Sequence, residues 1–245
     1  MTAELKALWY FAYGSNMSAE KFSDDRGIKP LGKLRTTVPG WVLTMSIPGL
    51  PYQEPSFSSV RPRAEAETEE IDAPDVVGLA YLITKDQYRR IVGSEGGGIA
   101  YRDIELQAEV LDNHKYPGKI LPVRTLAEAM SRSPPPRPSR RYMKLLLDGV
   151  EEAKLPSEYQ QYLREIPTYQ PPSSFWAAVG AKMFIALFGP IMLFMEIITH
   201  QTMKDDGTAP RWVIWLVRSG MMVIWSVHDY LFAPVFGRGD GMLRM

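Results

Sequence analysis

Two short stretches hold the residue types that proton transfer and anion binding require. The first is Tyr10-Phe11-Ala12-Tyr13-Gly14-Ser15-Asn16-Met17, an aromatic run that ends in a glycine, a hydroxyl and an amide. It reads as a strand leaving through a glycine-permitted turn ahead of a helix. Successive N–H groups at such a turn suit a carboxylate or an oxyanion. Gly14 would let the backbone approach a ligand, and Ser15 and Asn16 could add side-chain hydrogen bonds. The same residues also suit a turn that only caps a helix. No G-x-S-x-G elbow surrounds Ser15 and no histidine is near it in sequence, which disfavours a nucleophilic serine. The second stretch is Gly93-Ser94-Glu95-Gly96-Gly97-Gly98. Its glycines could fold the backbone tightly around Glu95 or around a ligand beside it. The alternative is a loose helix end with a solvated glutamate. It lacks the lysine and spacing of a P-loop and the strand-first setting of a dinucleotide fingerprint.

Elements must hold these residues in place. Period-two patterning marks strands at 41–47, 76–83 and 102–111, the last with Ile104, Leu106, Ala108 and Val110 on one face. Ser18 is placed to cap a helix over the following residues, and Thr84 to cap one that leads into Glu95. Residues 63–75 form an acidic surface loop. Residues 131–141, SRSPPPRPSRR, are extended by their prolines. They deliver the next helix or serve as an SH3-type ligand. Helices follow over 139–156 and 157–166.

Composition narrows the function classes. The 245 residues carry 28 Lys+Arg against 28 Asp+Glu. No basic stripe is present, so nucleic acid is not the expected partner. Cysteine is absent, which excludes thiolate nucleophiles and cysteine-based metal sites. The histidines, His114, His200 and His228, are far apart, so no metal site is expected. The N-terminus has neither a basic n-region nor a cleavage site, and a cytoplasmic start is the expectation.

The aromatic–YGSN stretch, paired with a glutamate–glycine element far downstream, resembles the γ-glutamylcyclotransferase family. Residues 136–166, PRPSRRYMKLLLDGVEEAKLPSEYQQYLREI, agree: they are similar to that family's P-S-x-x-Y…G…LP-x-x-Y…L helical pair. The resemblance spans residues 8–166. It implies an α+β fold, a small mixed β-barrel with short helices, and no cofactor or metal. It also implies an amine-releasing lyase reaction, in which the substrate's α-amine attacks its own γ-glutamyl carbonyl and releases 5-oxoproline. By position in the family pattern, Glu95 carries the proton from the attacking amine to the departing one. The stretch Tyr10, Phe11, Ala12, Tyr13, Gly14, Ser15 and Asn16 would contact substrate, and Tyr142 would add its hydroxyl. No role attaches to Arg140 or Arg141. Met17 stands where the family usually has leucine, and three glycines follow Glu95 in place of one, a setting that suits a bulky leaving group. The implied substrates are γ-glutamyl amino acids, glutathione, or a glutathione or γ-glutamyl conjugate of a larger metabolite. Fungal pathways that install sulfur through glutathione include similar enzymes. The competing reading is a non-catalytic membrane-anchored module that holds a carboxylate on the same fold.

Beyond residue 171 the character changes. Residues 175–198 and 212–236 are two apolar stretches joined by a polar turn, a C-terminal helical hairpin. The first satisfies the length of a membrane span; the second carries Arg218, His228 and Asp229. Tryptophans at 176, 212, 215 and 225 suit a membrane interface. The expected division is a catalytic domain over 1–171 and a membrane-anchoring extension over 172–245, with a chain ending near residue 171 soluble and active on its own. The alternative is a hairpin buried against the protein or in a dimer.

Overall fold

Strand β1 (Ala7–Ala12) ends in three consecutive buried residues, because it lies inside a closed sheet with both faces covered. A computed structural model describes residues 7–18, 20–67, 70, 72–111, 118–171 and 173–242. The further strands are β2 (Gly32–Val38), β3 (Trp41–Leu50), β4 (Glu54–Pro62), β5 (Val76–Thr84), β6 (Tyr101–Val110) and β7 (Ile120–Glu128). Five of them close a barrel in the order β1-β5-β2-β6-β7. Its ladders are antiparallel except where β1 meets β7 in parallel, Tyr10 opposite Arg124. The architecture is the mixed barrel that the resemblance implies.

Strands β3 and β4 form a separate ribbon with an irregular register between Thr44 and Ile47. Leu43, Met45 and Val60 join the barrel core, while Leu50 and Tyr52 belong to a second core built with the C-terminal helices. The ribbon therefore ties the two halves of the chain together.

The helices are α1 (Lys85–Ser94), α2 (Arg140–Glu152), α3 (Ser157–Glu165), α4 (Phe175–Thr202), α5 (Arg211–Val227) and α6 (Ala233–Phe236). Thr84 caps α1 as expected, in a reciprocal box with Gln87: each backbone N–H reaches the other's side chain, at 3.0 and 3.2 Å. Ser139, at the end of the proline-rich crossing, caps α2 by accepting the Tyr142 N–H at 3.0 Å. A helical stretch follows Ser18 as expected, in wide π form over Glu20–Asp25, and a 3₁₀ turn at Ser15–Met17 precedes it. The acidic loop of 63–75 is described only in part, and His114 lies outside the described residues.

The two apolar stretches of the C-terminal extension fold differently. Helix α4 alone, among the described residues, is long and apolar enough to cross a membrane. Its buried residues Ala181, Phe184, Phe188 and Met195 recur at helical spacing and face the second core. Its outer face shows Met183, Leu187, Ile191 and Phe194 to the outside. The second stretch is broken into α5, a π-type turn at His228–Phe232, and α6. Arg218 of α5 spends its guanidinium on protein carbonyls, donating to Ile99 at 2.9 Å and Gly98 at 3.2 Å. Trp225 is buried, its Nε1–H donating to the Gly49 carbonyl at 3.1 Å. It is a core residue, whereas Trp176, Trp212 and Trp215 are exposed.

Candidate active site

Glu95 closes α1, and the residues after it turn the chain through a conformation that side chains resist. Gly96, Gly97 and Gly98 have φ values of +84°, +59° and +98°, the left-handed region that glycine enters without penalty. The three glycines thus build a sharp exit immediately behind the carboxylate. Glu95 points back into the protein. Its Oε1 accepts from Asn16 Nδ2 at 3.1 Å and from Arg26 Nη2 at 2.6 Å. Among the described residues none bonds Oε2. The ion pair is largely sheltered, with side chains 21% and 16% exposed.

The YGSN turn supplies the facing half. The first hydrogen bond of the 3₁₀ turn runs from the Met17 N–H to the Gly14 carbonyl, 3.0 Å. The Ser15 and Asn16 N–H groups therefore stand ahead of the turn's own bonding. A Cβ on Gly14 would meet the Ser58 hydroxyl at 2.6 Å, so glycine is required by close approach. Ser58 is in turn held by Tyr142: its N–H donates to Tyr142 Oη at 3.0 Å, and the two hydroxyls are 2.7 Å apart. Tyr101 donates to the Ser58 carbonyl at 3.0 Å. Asn16 Nδ2 also donates to Tyr10 Oη, 2.8 Å, and Tyr13 donates to the Leu126 carbonyl. Two buried polar atoms of this cluster, Asn16 Oδ1 and Arg26 Nη1, have no partner among the described residues. Both would be satisfied by a polar ligand.

Burial pushes the phenols up. Tyr142 reaches about 12 through desolvation, offset in part by its Ser58 bonds. Tyr10, Tyr13 and Tyr101 are raised further, again chiefly by desolvation. At neutral pH all four are neutral hydroxyls.

A cavity of about 410 Å³ is lined by Glu95, Tyr10, Tyr13, Gly14, Ser15, Asn16 and Tyr142. Two residues of the expected contact set do not line it. Phe11 and Ala12 are buried in the barrel core, and Phe11 contributes only a carbonyl that accepts from Thr125 at 2.7 Å. Strand alternation explains Phe11: side chains point to opposite faces in turn, so Tyr10 and Phe11 cannot share one. Sequence reading missed Arg26, Ser58 and Tyr101, all on the cavity wall. Arg26 looks like ordinary surface charge in SDDRG, and Ser58 sits in a serine-rich strand with no apolar alternation. Arg141, given no role, lines the cavity and pairs with Glu54 at 2.6 Å.

One group elsewhere has the chemistry of a metal site: ligand atoms of His228, Asp229 and Asp240 lie within 4.8 Å of one another. Their valences are already used. His228 Nε2 accepts the Gly239 N–H at 2.9 Å, so its Nδ1 is the protonated nitrogen and donates to Asp229 at 2.9 Å. Arg132 pairs with Asp229 at 2.6 Å, and Arg238 binds Asp240. Burial lowers the His228 pKa, and the neutral ring is the form this arrangement suits.

The fold and the site together define a γ-glutamyl cyclotransferase-type barrel. A solved gamma-glutamyl cyclotransferase superposes with a TM-score of 0.51 at 20% identity, over 73% of this chain and 99% of that one. A human protein solved as uncharacterized gives 0.54 at 21%, over 72% and 99%. Likeness at that identity speaks for the fold alone. The sequence relatives go further. The chain is 42% identical over 250 residues to the gamma-glutamyl cyclotransferase aclK of Aspergillus oryzae, covering 97% of this chain and 91% of that protein. It is 37% identical to the gamma-glutamyl cyclotransferase gliK of Aspergillus fumigatus, over 96% and 89%. Residues 174–235 match the family described as the AclK C-terminal domain. The chain belongs to the gamma-glutamyl cyclotransferase family.

Proposed function

We propose that the protein cyclises a γ-glutamyl amide to 5-oxoproline and a free amine, with Glu95 as general acid and base. The observation that carries this reading is the convergence of the Glu95 carboxylate and the Ser15–Asn16 turn on one cavity. The substrate's α-amine is an ammonium at neutral pH. Glu95 accepts a proton from it through Oε2, since Oε1 is occupied by Asn16 and Arg26. The freed amine attacks the γ-carbonyl and closes a five-membered ring. The scissile C–N bond then breaks as the same carboxyl returns its proton to the leaving nitrogen; the ring nitrogen's second surplus proton passes to the departing amine, which leaves as an ammonium, and no water is consumed. Because the nucleophile is tethered, the site's main task is to fold the glutamyl chain into its reactive shape. The Ser15 and Asn16 N–H groups serve the α-carboxylate and the oxyanion that develops at the γ-carbonyl. Tyr10, Tyr13, Gly14 and Tyr142 complete the substrate contacts, Tyr142 as a neutral hydroxyl.

The substrate is a γ-glutamyl amino acid, glutathione, or a conjugate of a larger metabolite, and the fungal relatives are gamma-glutamyl cyclotransferases by name. The outer face of α4 associates with a membrane while its inner face stays on the protein, and the cyclotransferase unit remains on the cytoplasmic side.

The test is product analysis on several γ-glutamyl amides. Purified protein should release 5-oxoproline and amine in equal amounts. Glu95→Gln should lower kcat by about a thousandfold with the fold intact. Full activity in that variant removes Glu95 from the chemistry. Binding of γ-glutamyl amides without turnover in the unaltered protein identifies a carboxylate-binding module instead.

A further inference from the structure

The cavity at Glu95 is not walled by the barrel and ribbon alone. Met192 of α4 and Val217 and Met221 of α5 line it, and Ile47 and Pro48 of β3 add to the same apolar surface. The wall is fastened to the catalytic loop. Arg218, next to Val217, binds the carbonyls of Gly98 and Ile99. The Ala209 N–H, just ahead of α5, donates to the Gly97 carbonyl at 2.8 Å. Trp225, one helical turn beyond Met221, binds the Gly49 carbonyl beside Ile47 and Pro48. The C-terminal helices thus grip both the segment that leaves Glu95 and the strand that faces it.

The glutamyl part of any substrate must meet the polar cluster of Glu95, Asn16 and Arg26. What remains for the apolar wall is the amine being released. A small zwitterionic amine would set a charge against three thioether and aliphatic side chains, which is unfavourable. A large apolar body would bury surface there, and methionines adapt to irregular shapes.

We propose that α4 and α5 form the leaving-group subsite, with Met192, Val217 and Met221 selecting γ-glutamyl amides whose amine carries a large apolar body. This rests on the cyclotransferase reading of the Glu95 cluster. The helices therefore belong to the active site, whatever their outer faces touch.

The test uses the full chain and two probes, γ-glutamyl-alanine and γ-glutamyl-β-naphthylamide. The unaltered protein should show the higher kcat/KM on the naphthylamide. Met221→Gln and Val217→Thr keep size and add polarity, and each should lower the naphthylamide-to-alanine ratio by about tenfold, mainly through KM. Met192 is only partly buried, so Met192→Gln decides the matter if the Met221 variant does not fold. A ratio within about twofold of the unaltered protein's in all folded variants overturns the subsite. If neither probe is turned over, the cyclotransferase reading fails, and fluorescence titration with the naphthylamide still reads the subsite. Preferential binding of the naphthylamide that is weakened by Met192→Gln supports it. Equal affinity for the two amides overturns it.

Discussion

Glu95 lines the cavity and offers one oxygen to its neighbours, with Asn16 and Arg26 as the two donors that orient it. Around it, Tyr10, Tyr13, Tyr101 and Tyr142 are buried hydroxyls with raised pKa values. This has a measurable consequence in alkali. Tyrosines in the unfolded chain ionise near pH 10, whereas Tyr142 in the folded protein does so at about 12 and the others higher. The unfolded state therefore releases its protons first as pH rises. The stability contributed by these groups is complete below about pH 10 and is lost from there upward, for Tyr142 through about pH 12 and for the others beyond it. Urea midpoints should be flat up to about pH 9 and fall above about pH 10. The corresponding tyrosinate absorbance should appear only with unfolding. A midpoint that does not move across that range contradicts the assignment.

Among the elements, the loop after α1 is tightly constrained. Gly97 has φ of +59°, and a Cβ there would sit 2.7 Å from both the Ala209 backbone nitrogen and Met203 Sδ. Gly97→Ala combines backbone strain with a clash against the chain entering α5. A loss of about 1–3 kcal/mol in stability is expected. Thermal unfolding reads the stability. Activity should also fall, because the displaced chain bears both the Gly97 bond and the Arg218 clamp. Unchanged stability would mean that the loop is looser than its contacts indicate. Strands β3, β5 and β6 and helices α1, α2 and α3 were legible from apolar patterning and, for α1, its cap; burial in β6 alternates with its apolar residues, whereas β3 and β5 are buried almost throughout. Strand β4 was not. Its sequence, EPSFSSVRP, buries Ser56, Ser58 and Ser59. Partnered hydroxyls do for it what apolar side chains do elsewhere: Ser56 donates to the Pro136 carbonyl at 2.8 Å and Ser58 pairs with Tyr142.

For the whole molecule, residues on the two sides of the boundary expected near residue 171 pack together. Leu50 and Tyr52 of the ribbon share a core with Phe184, Ile224 and Trp225, and Tyr52 donates to the Gly237 carbonyl at 2.6 Å. A chain ending at residue 171 should therefore aggregate, and any soluble fraction should lose more than about tenfold in kcat/KM on an apolar amide. A soluble fragment with full activity would restore the reading of the extension as a separable anchor. The outer face of α4 makes its own prediction. The full chain should float with phospholipid vesicles, and Leu187→Glu with Phe194→Glu should abolish flotation while leaving 5-oxoproline release unchanged. Flotation that survives both substitutions places the membrane contact elsewhere.

The sequence by itself determined the reactive parts. An aromatic strand running into Gly14-Ser15-Asn16, a glutamate among glycines and Tyr142 behind a proline-rich crossing are local patterns, and their order along the chain pointed to one family. Tertiary structure decided which of these residues meet. Strand alternation turned Phe11 away from the cavity, and the packing of the ribbon and the turn before β2 against the barrel brought Arg26, Ser58 and Tyr101 to it from segments with no chemical signature. It also decided the meaning of the apolar C-terminus. Hydropathy measures how much surface a helix must hide, and contacts alone say what hides it. Here one face of α4 and much of α5 are covered by the protein that carries Glu95.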